Sequence, residues 1–233
     1  MNINLYYQEK GKGEVLVLLH GNSDNSNYFV NQIEYFKDQY RVIAIDTRGH
    51  GKSPRGDMPF TISQFADDLN NFLNKLNIDK ITLLGFSDGA NIGMKFALKY
   101  PEKLNALILD GGNLNKGGAS KSVSVPIELI YKFTKLLSKK SEEAKKYMEL
   151  LNLLVNEPNI KPEELNKINV PTLVIAGTKD LIKKEHTQLI ADNINNSELV
   201  FIDGGHMVAK QKPEEFNKEV SKFLVKKDIK QGC

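Results

Sequence analysis

Gly85-Phe86-Ser87-Asp88-Gly89 has the G-x-S-x-G spacing that places a reactive serine on a sharp turn between a strand and a helix. The residues before it, Ile81-Thr82-Leu83-Leu84, are apolar and partly β-branched, as in a buried strand, and residues 90–100 have helical composition. Glycines at both ends leave room for a strained serine backbone between the neighbouring strand and helix. The stretch therefore predicts that Ser87 is a nucleophile in an α/β fold.

Length and composition favour a single globular domain. The chain has 233 residues, of which 40% are hydrophobic and 26% charged, and its net charge of +3 is spread rather than clustered. The single cysteine, Cys233, offers neither an intrachain disulfide nor a thiolate metal site and fits a reducing compartment. There is no leader-like segment and no apolar run of transmembrane length. We expect a cytoplasmic monomer or homodimer with no membrane or nucleic-acid partner.

Short apolar runs alternate with helix-like segments along the chain. Most runs are continuously apolar, as strands buried on both faces should be, and strands are predicted at residues 4–8, 15–19, 42–45, 81–86, 106–109, 173–176 and 199–202. Helices are predicted at 28–37, 62–76, 90–99, 184–193 and 213–225, with a capping box from Thr61 and Gln64 at the start of the second. The pattern predicts a mostly parallel sheet flanked by helices, with the first strand pairing antiparallel at an edge.

One interval breaks this alternation. About sixty residues separate Asp110 from Leu173, whereas connections in such folds are typically about 2–6 residues long. Amphipathic helices are predicted within the interval at 126–137 and 142–155. We expect a small helical cap at residues 113–165, inserted before the penultimate strand and between the core segments 1–112 and 166–233. Two ordinary surface helices are the alternative interpretation.

A nucleophilic serine needs a base and an acid that orients the base. His206 follows a predicted strand through a loop with two glycines, and Asp180 follows the preceding strand. The resulting chain order of serine, acid and histidine is the one expected for this architecture. Asp110 also ends a strand and is the competing acid. We expect Asp180 to be the acid and His206 the base.

The oxyanion of an acyl-transfer intermediate needs two backbone N–H donors. Asn22 follows a predicted strand through His20-Gly21, and Asp88 is the residue directly after the nucleophile. We therefore predict that the N–H groups of Asn22 and Asp88 form the oxyanion hole. His20 is interpreted as a residue that braces this turn.

Together these segments, with Asp46-Thr47-Arg48-Gly49-His50-Gly51-Lys52-Ser53, resemble the α/β-hydrolase superfamily in its esterase-like and haloperoxidase-like group. The resemblance covers residues 3–225, and it implies that Asp46 and Arg48 brace each other and the backbone of a structural turn. The short insertion, and Ala90 where many relatives have a further glycine, depart from the family pattern.

The expected reaction is hydrolysis of a small carboxylic ester, thioester, lactone or amide through an acyl-enzyme on Ser87. Amino-acid ester cleavage, C–C bond hydrolysis, peracid formation, a non-catalytic receptor and an interaction module remain alternatives. Asp88 could receive a cationic acyl group, but a surface salt bridge is the simpler interpretation. Nucleotide- and metal-binding spacings are absent, so we expect no cofactor, no metal and a small-molecule acyl substrate. The residues expected to shape the acyl pocket lie in the insertion: Tyr131, Phe133, Tyr147 and Met148.

Overall fold

The computed structural model describes residues 3–139 and 141–231, with residues 227–231 as backbone only. Cys233 lies outside the described residues. The strands are β1 (Tyr7–Lys10), β2 (Glu14–Leu19), β3 (Tyr40–Ile45), β4 (Ile81–Phe86), β5 (Leu104–Asp110), β6 (Thr172–Gly177) and β7 (Ser197–Ile202). The α-helices are α1 (Val30–Phe36), α2 (Ile62–Lys75), α3 (Asp88–Lys99), α4 (Lys121–Leu137), α5 (Glu142–Asn156), α6 (Lys184–Asp192), α7 (Val208–Gln211) and α8 (Pro213–Gln231).

The described strands form one sheet in the order β1-β3-β2-β4-β5-β6-β7. All neighbouring pairs are parallel except β1 and β3, which pair antiparallel at one edge. The predicted fold class and the edge position of the first strand are therefore confirmed. The first strand itself begins at Tyr7 rather than residue 4, and it ends where Gly11 and Gly13 turn the chain with positive φ angles.

Helices cover both faces of the sheet, which explains why the central strands are apolar throughout. Every residue of β4 and β6 is buried. Helices α2, α3 and α6 pack on one face, while α1, α7 and α8 pack on the other. The two layers of helices hold β4, β6 and β7 in place. The predicted site residues Ser87, Asp180 and His206 come just after the carboxyl ends of these strands.

The start of α2 differs from the capping box that the sequence predicts. The hydroxyl of Thr61 accepts a hydrogen bond from the N–H of Gln64 at 3.1 Å, as expected of an N-cap. The Gln64 side chain, however, donates to Asp68 at 3.1 Å along the helix. Only the Thr61 half of the box is formed, because Asp68 lies one turn further along the same face and offers a carboxylate.

The interval between β5 and β6 holds helices α4 and α5, which pack against each other. Helix α4 begins at Lys121, so the predicted start at residue 126 was wrong and Pro126 lies inside the helix. Within the interval, Lys116 pairs with Glu128 of α4 at 2.9 Å, and Glu149 of α5 pairs at 2.6 Å with Arg55, which lies between β3 and α2. These contacts place α4 and α5 beside the carboxyl end of the sheet.

Candidate active site

Ser87 lies on the turn between β4 and α3 with φ of +55° and ψ of −114°. A positive φ is strained for a serine, and such strain is common at catalytic turns. A Cβ on Gly85 would lie 2.1 Å from the carbonyl oxygen of Gly89, and a Cβ on Gly89 would lie 2.0 Å from that of Leu19. Both glycines are therefore required by the close approach of backbone to backbone, as the sequence predicts.

His206 connects Ser87 and Asp180 through its two ring nitrogens. Its Nε2 lies 3.1 Å from Ser87 Oγ, and its Nδ1 lies 2.7 Å from Asp180 Oδ1. The same Asp180 oxygen accepts a hydrogen bond from the N–H of Ile182 at 2.8 Å, which fixes the carboxylate. An imidazole held in this way can take a proton from the hydroxyl while the carboxylate stabilises the resulting imidazolium.

The loops that deliver this pair follow β6 and β7. Gly177 ends β6, and a Cβ there would lie 2.2 Å from the carbonyl oxygen of Gly205. The two loops therefore pass closely enough for Asp180 and His206 to meet. The imidazole also lies beside the ring of Phe86, with ring centroids 4.9 Å apart.

Asp110, the competing acid, ends β5 but does not contact His206 through a hydrogen bond in the described structure. It is fully buried, and neither of its carboxylate oxygens has a hydrogen-bond partner among the described residues. Burial, with a smaller contribution from nearby Asp180, raises the pKa of Asp110 well above its ordinary value. Of the two candidate acids, the geometry brings Asp180 to the imidazole.

The loop after β2 passes directly against the serine. A Cβ on Gly21 would lie 3.1 Å from the Cβ of Ser87, and Asn22 lines the cavity beside that serine. Asp88 is the first residue of α3, so its N–H is one of the donors that a helix start leaves without an intrahelical acceptor. The two predicted oxyanion donors thus lie on the two segments that flank Ser87.

His20 braces this loop, as its position after the strand predicts. Its Nδ1 lies 2.7 Å from the carbonyl oxygen of Gly21, and its Nε2 accepts the N–H of Thr47 at 3.0 Å. Burial lowers the pKa of His20. A neutral imidazole therefore ties the oxyanion loop to the segment after β3.

In that segment, Arg48 pairs with Asp68 of α2 through two hydrogen bonds of 2.6 Å, and both side chains are buried. Asp46 instead accepts the N–H groups of Ser26 and Lys52. The mutual bracing of Asp46 and Arg48 was therefore wrong. The bidentate partner of Arg48 comes from a helix that is distant in sequence, and short-range spacing does not show it.

The Asp88 side chain is buried, so its placement in a surface salt bridge was also wrong. One carboxylate oxygen accepts a hydrogen bond from Asn22 Nδ2 at 2.9 Å, and that amide also donates to the carbonyl oxygen of Leu150 in α5 at 3.0 Å. Burial raises the pKa of Asp88 to about 6. The Asn22 amide thus joins the nucleophile turn to the insertion, a link that no sequence signal indicates.

A cavity of about 360 Å³ opens beside Ser87 and His206. Most of its lining is apolar and comes from Phe86, Ala119, Val123, Ile127, Leu154, Val155, Leu181, Ile182 and Met207. The polar part of the lining consists of Asn22, Asp24, Asn113, Lys116, Ser124 and Glu128. One basic and one acidic residue of this lining, Lys116 and Glu128, form an ion pair with each other. Such a cavity suits an uncharged, mainly apolar group next to the serine.

The four residues predicted to shape the acyl pocket do not line this cavity, and neither does the Asp88 carboxylate. Phe133 and Tyr147 are 64% and 50% exposed, Met148 is half-buried, and the Tyr131 hydroxyl donates to Asn152. The insertion contributes Val123, Ile127, Leu154 and Val155 in their place. Phe133 is six residues beyond Ile127, which at about 100° per residue places it on a different face of α4.

The described part of the chain has neither a metal-binding cluster nor a membrane-spanning helix. Among residues 3–139 and 141–226, whose side chains the structure describes, no group of three or more His, Cys, Asp or Glu side chains could hold a metal ion. None of the helices in that part of the chain is both long and apolar enough to cross a membrane.

Comparison with known proteins finds a family match and several similar proteins. Residues 14–160 match the family model described as alpha/beta hydrolase fold. The chain is 28% identical to a 3-oxoadipate enol-lactonase of Acinetobacter baylyi, over 96% of this chain and 94% of that protein. Among solved structures, Est816, described as an N-acyl homoserine lactone degrading enzyme, is 28% identical, with a TM-score of 0.77 over 95% of this chain and 97% of that one.

A thermophilic esterase from Thermogutta terrifontis is 25% identical, with a TM-score of 0.80 over 97% of this chain and 94% of that one. The family match covers more than half of the chain, and the mostly parallel seven-stranded sheet agrees with it. The chain is therefore a member of the α/β-hydrolase family.

Proposed function

We propose that this protein is a serine hydrolase that cleaves a small carboxylic ester or a related acyl bond. The observation that carries the proposal is the position of His206, whose two ring nitrogens lie 3.1 Å from Ser87 Oγ and 2.7 Å from Asp180 Oδ1. Fold alone does not determine activity, but this arrangement supplies a nucleophile, a base and an orienting acid in one line.

In the proposed first step, His206 Nε2 takes the hydroxyl proton while Ser87 Oγ attacks the carbonyl carbon. The N–H groups of Asn22 and Asp88 then donate hydrogen bonds to the oxyanion. The imidazolium returns its proton to the departing alkoxide oxygen, which leaves an acyl-enzyme. Water, deprotonated by the same imidazole, attacks this ester and releases the carboxylic acid and free Ser87.

The cavity lining supports an uncharged, mainly apolar acyl group. The Lys116 ammonium is paired with Glu128, and Asp24, the other carboxylate of the lining, accepts the N–H of Asn25. Asp88, the residue that could have received an ammonium, is turned into the protein towards Asn22. These contacts favour simple acyl esters over α-amino-acid esters.

A lactone is the second candidate substrate class. Two of the similar proteins are named for lactone cleavage, and both align with nearly the whole chain. A lactone is an internal ester, so it would pass through the same acyl-enzyme with its own alcohol as the retained leaving group. The chemistry at Ser87, Asp180 and His206 is identical in the two cases.

The test is hydrolysis of p-nitrophenyl esters of increasing acyl length and of unsubstituted lactones, with the native protein and Ser87→Ala. We expect loss of about 10⁴-fold or more in kcat for Ser87→Ala. The control is Ser221→Ala on α8, which should keep native rates. An aryl phosphonate should add to Ser87 and be found there by peptide mass spectrometry.

Retention of turnover in Ser87→Ala, or phosphonylation at another residue, would contradict the proposed nucleophile. No turnover of any ester or lactone by the folded native protein would contradict the proposed reaction.

A further inference from the structure

The outer face of helix α4 is apolar and exposed. Val125, Leu129, Phe133 and Leu137 recur at every fourth residue, and with Ile130 and Leu136 they form one stripe, called here the α4 stripe. Each of these side chains is between 44% and 69% exposed. Across α4, all of which the structure describes, only Thr134 is buried. A contiguous apolar surface of this kind marks an interaction site more often than a solvated face.

Cations accompany the α4 stripe along one edge. At about 100° per residue, Lys121, Lys132 and Lys135 lie together beside the stripe. The acidic residue on that side, Glu128, is paired with Lys116 at 2.9 Å. The charge that α4 itself offers to a partner is therefore positive. An anionic surface is complementary to it, whereas a second copy of the chain would present the same row of lysines.

We propose that α4 docks by its apolar stripe on a membrane surface that bears anionic lipids, with the lysine row at the headgroups. A surface helix of this kind lies in the interface plane, its apolar side chains buried at the headgroup boundary and its lysines against the lipid phosphates. It does not cross the bilayer. The expectation of no membrane partner was based on the absence of a spanning run, which does not detect an interfacial helix.

The same helix lines the active-site cavity with Val123 and Ile127. Docking by the outer face would therefore hold the cavity next to the lipid surface. Binding does not depend on turnover, so a failure of the proposed hydrolysis would leave this inference untouched and would be recognised separately.

The test is co-sedimentation of the full chain with vesicles of equimolar phosphatidylglycerol and phosphatidylcholine, and with vesicles of phosphatidylcholine alone. We expect binding to the anionic vesicles that weakens with added salt. Leu129→Ser combined with Leu136→Ser should reduce the partition constant about tenfold or more. The matched control is Val30→Ser combined with Val225→Ser, which alters two equally exposed apolar side chains (56% and 60%) on core helices and should bind like the native protein.

Lys132→Gln and Lys135→Gln should each weaken binding about fivefold. Far-ultraviolet circular dichroism and a native melting temperature show that each variant is folded. The proposal is overturned if the folded native protein does not sediment with anionic vesicles, or if the control pair weakens binding as much as the α4 pair. It is also overturned if sedimentation velocity shows a dimer that the α4 substitutions dissociate, because the stripe would then be a contact between two copies.

Discussion

Asp88→Asn separates the charge of this carboxyl from its shape. In the native protein burial raises the pKa of Asp88 from 3.8 to about 6. Between these values the unfolded chain is ionised at this residue while the folded chain holds a proton. The free energy of unfolding therefore falls as pH rises from about 4 to about 6. The contribution of Asp88 to the free energy of unfolding is fully present below pH 3.8, the pKa in the unfolded chain, and is lost by about pH 6.

The size of this loss follows from the two pKa values. Each pKa unit corresponds to 1.36 kcal/mol, so the difference between 3.8 and about 6 amounts to about 3 kcal/mol. Asparagine has nearly the same shape and keeps an oxygen that can accept the hydrogen bond from Asn22 Nδ2. It cannot ionise, so Asp88→Asn should be more stable than the native protein by up to about 3 kcal/mol at pH 8 and nearly equal to it at about pH 4.

The assay is urea unfolding across this pH range, followed by far-ultraviolet circular dichroism. The matched control is Asp79→Asn, which removes an exposed carboxylate and should leave the pH dependence unchanged. Hydrolysis rates of Asp88→Asn should stay within about threefold of native, because the proposed oxyanion donor at this position is the backbone N–H. The ratio of alanyl to propionyl ester cleavage should not change.

Two results would refute the reasoning. If Asp88→Asn were no more stable than the native protein at pH 8, the buried carboxyl would not be the source of the pH dependence. If the variant instead lost a native preference for alanyl esters, the Asp88 carboxylate would contact substrate, and its position against Asn22 would not be the one used in the reaction.

Three further outcomes follow from the site and the insertion. Asp180→Asn should lower kcat about 10⁴-fold on the best ester while Asp110→Asn stays within about threefold, and the opposite ranking would move the acid to β5. Gly89→Ala should destabilise the fold by about 4 kcal/mol or more in thermal unfolding, because its Cβ would lie 2.0 Å from a carbonyl oxygen; a native melting temperature would contradict this. Arg55→Gln should change the melting temperature little, because its pair with Glu149 is partly exposed, yet speed tryptic cleavage within residues 121–156; unchanged cleavage would show that the pair does not hold the insertion.

The sequence predicts the sheet and the serine turn well because both depend on local rules. Buried parallel strands are apolar throughout, and the turn at Ser87 needs glycine on each side since backbone approaches backbone there. Asp180 and His206 follow strands that end at the same edge, so their meeting also follows from the predicted topology. These features need no knowledge of how distant side chains pack.

The predictions for the pocket residues and for Asp88 were wrong because they depend on the direction in which a side chain points. Tyr131, Phe133, Tyr147 and Met148 lie in the insertion as predicted, but the cavity is lined by the residues that the helices turn inwards, such as Val123 and Ile127. A carboxylate is usually solvated, which favours a surface position for Asp88 at the level of the sequence. The Asn22 amide, which lies 66 residues earlier in the chain, supplies the hydrogen bond that allows burial. Contacts at such separations are not visible in composition or periodicity.

Asp110 ends β5 and Asp180 follows the neighbouring strand β6, yet packing gives the two carboxyl groups different hydrogen-bond partners. Asp180 accepts hydrogen bonds from Ile182 N–H and from His206, whereas Asp110 has no partner for either oxygen among the described residues. Burial, with a smaller contribution from nearby Asp180, raises the pKa of Asp110 well above its ordinary value. The chain can therefore carry acidic residues at both strand ends while a single one of them, Asp180, orients His206.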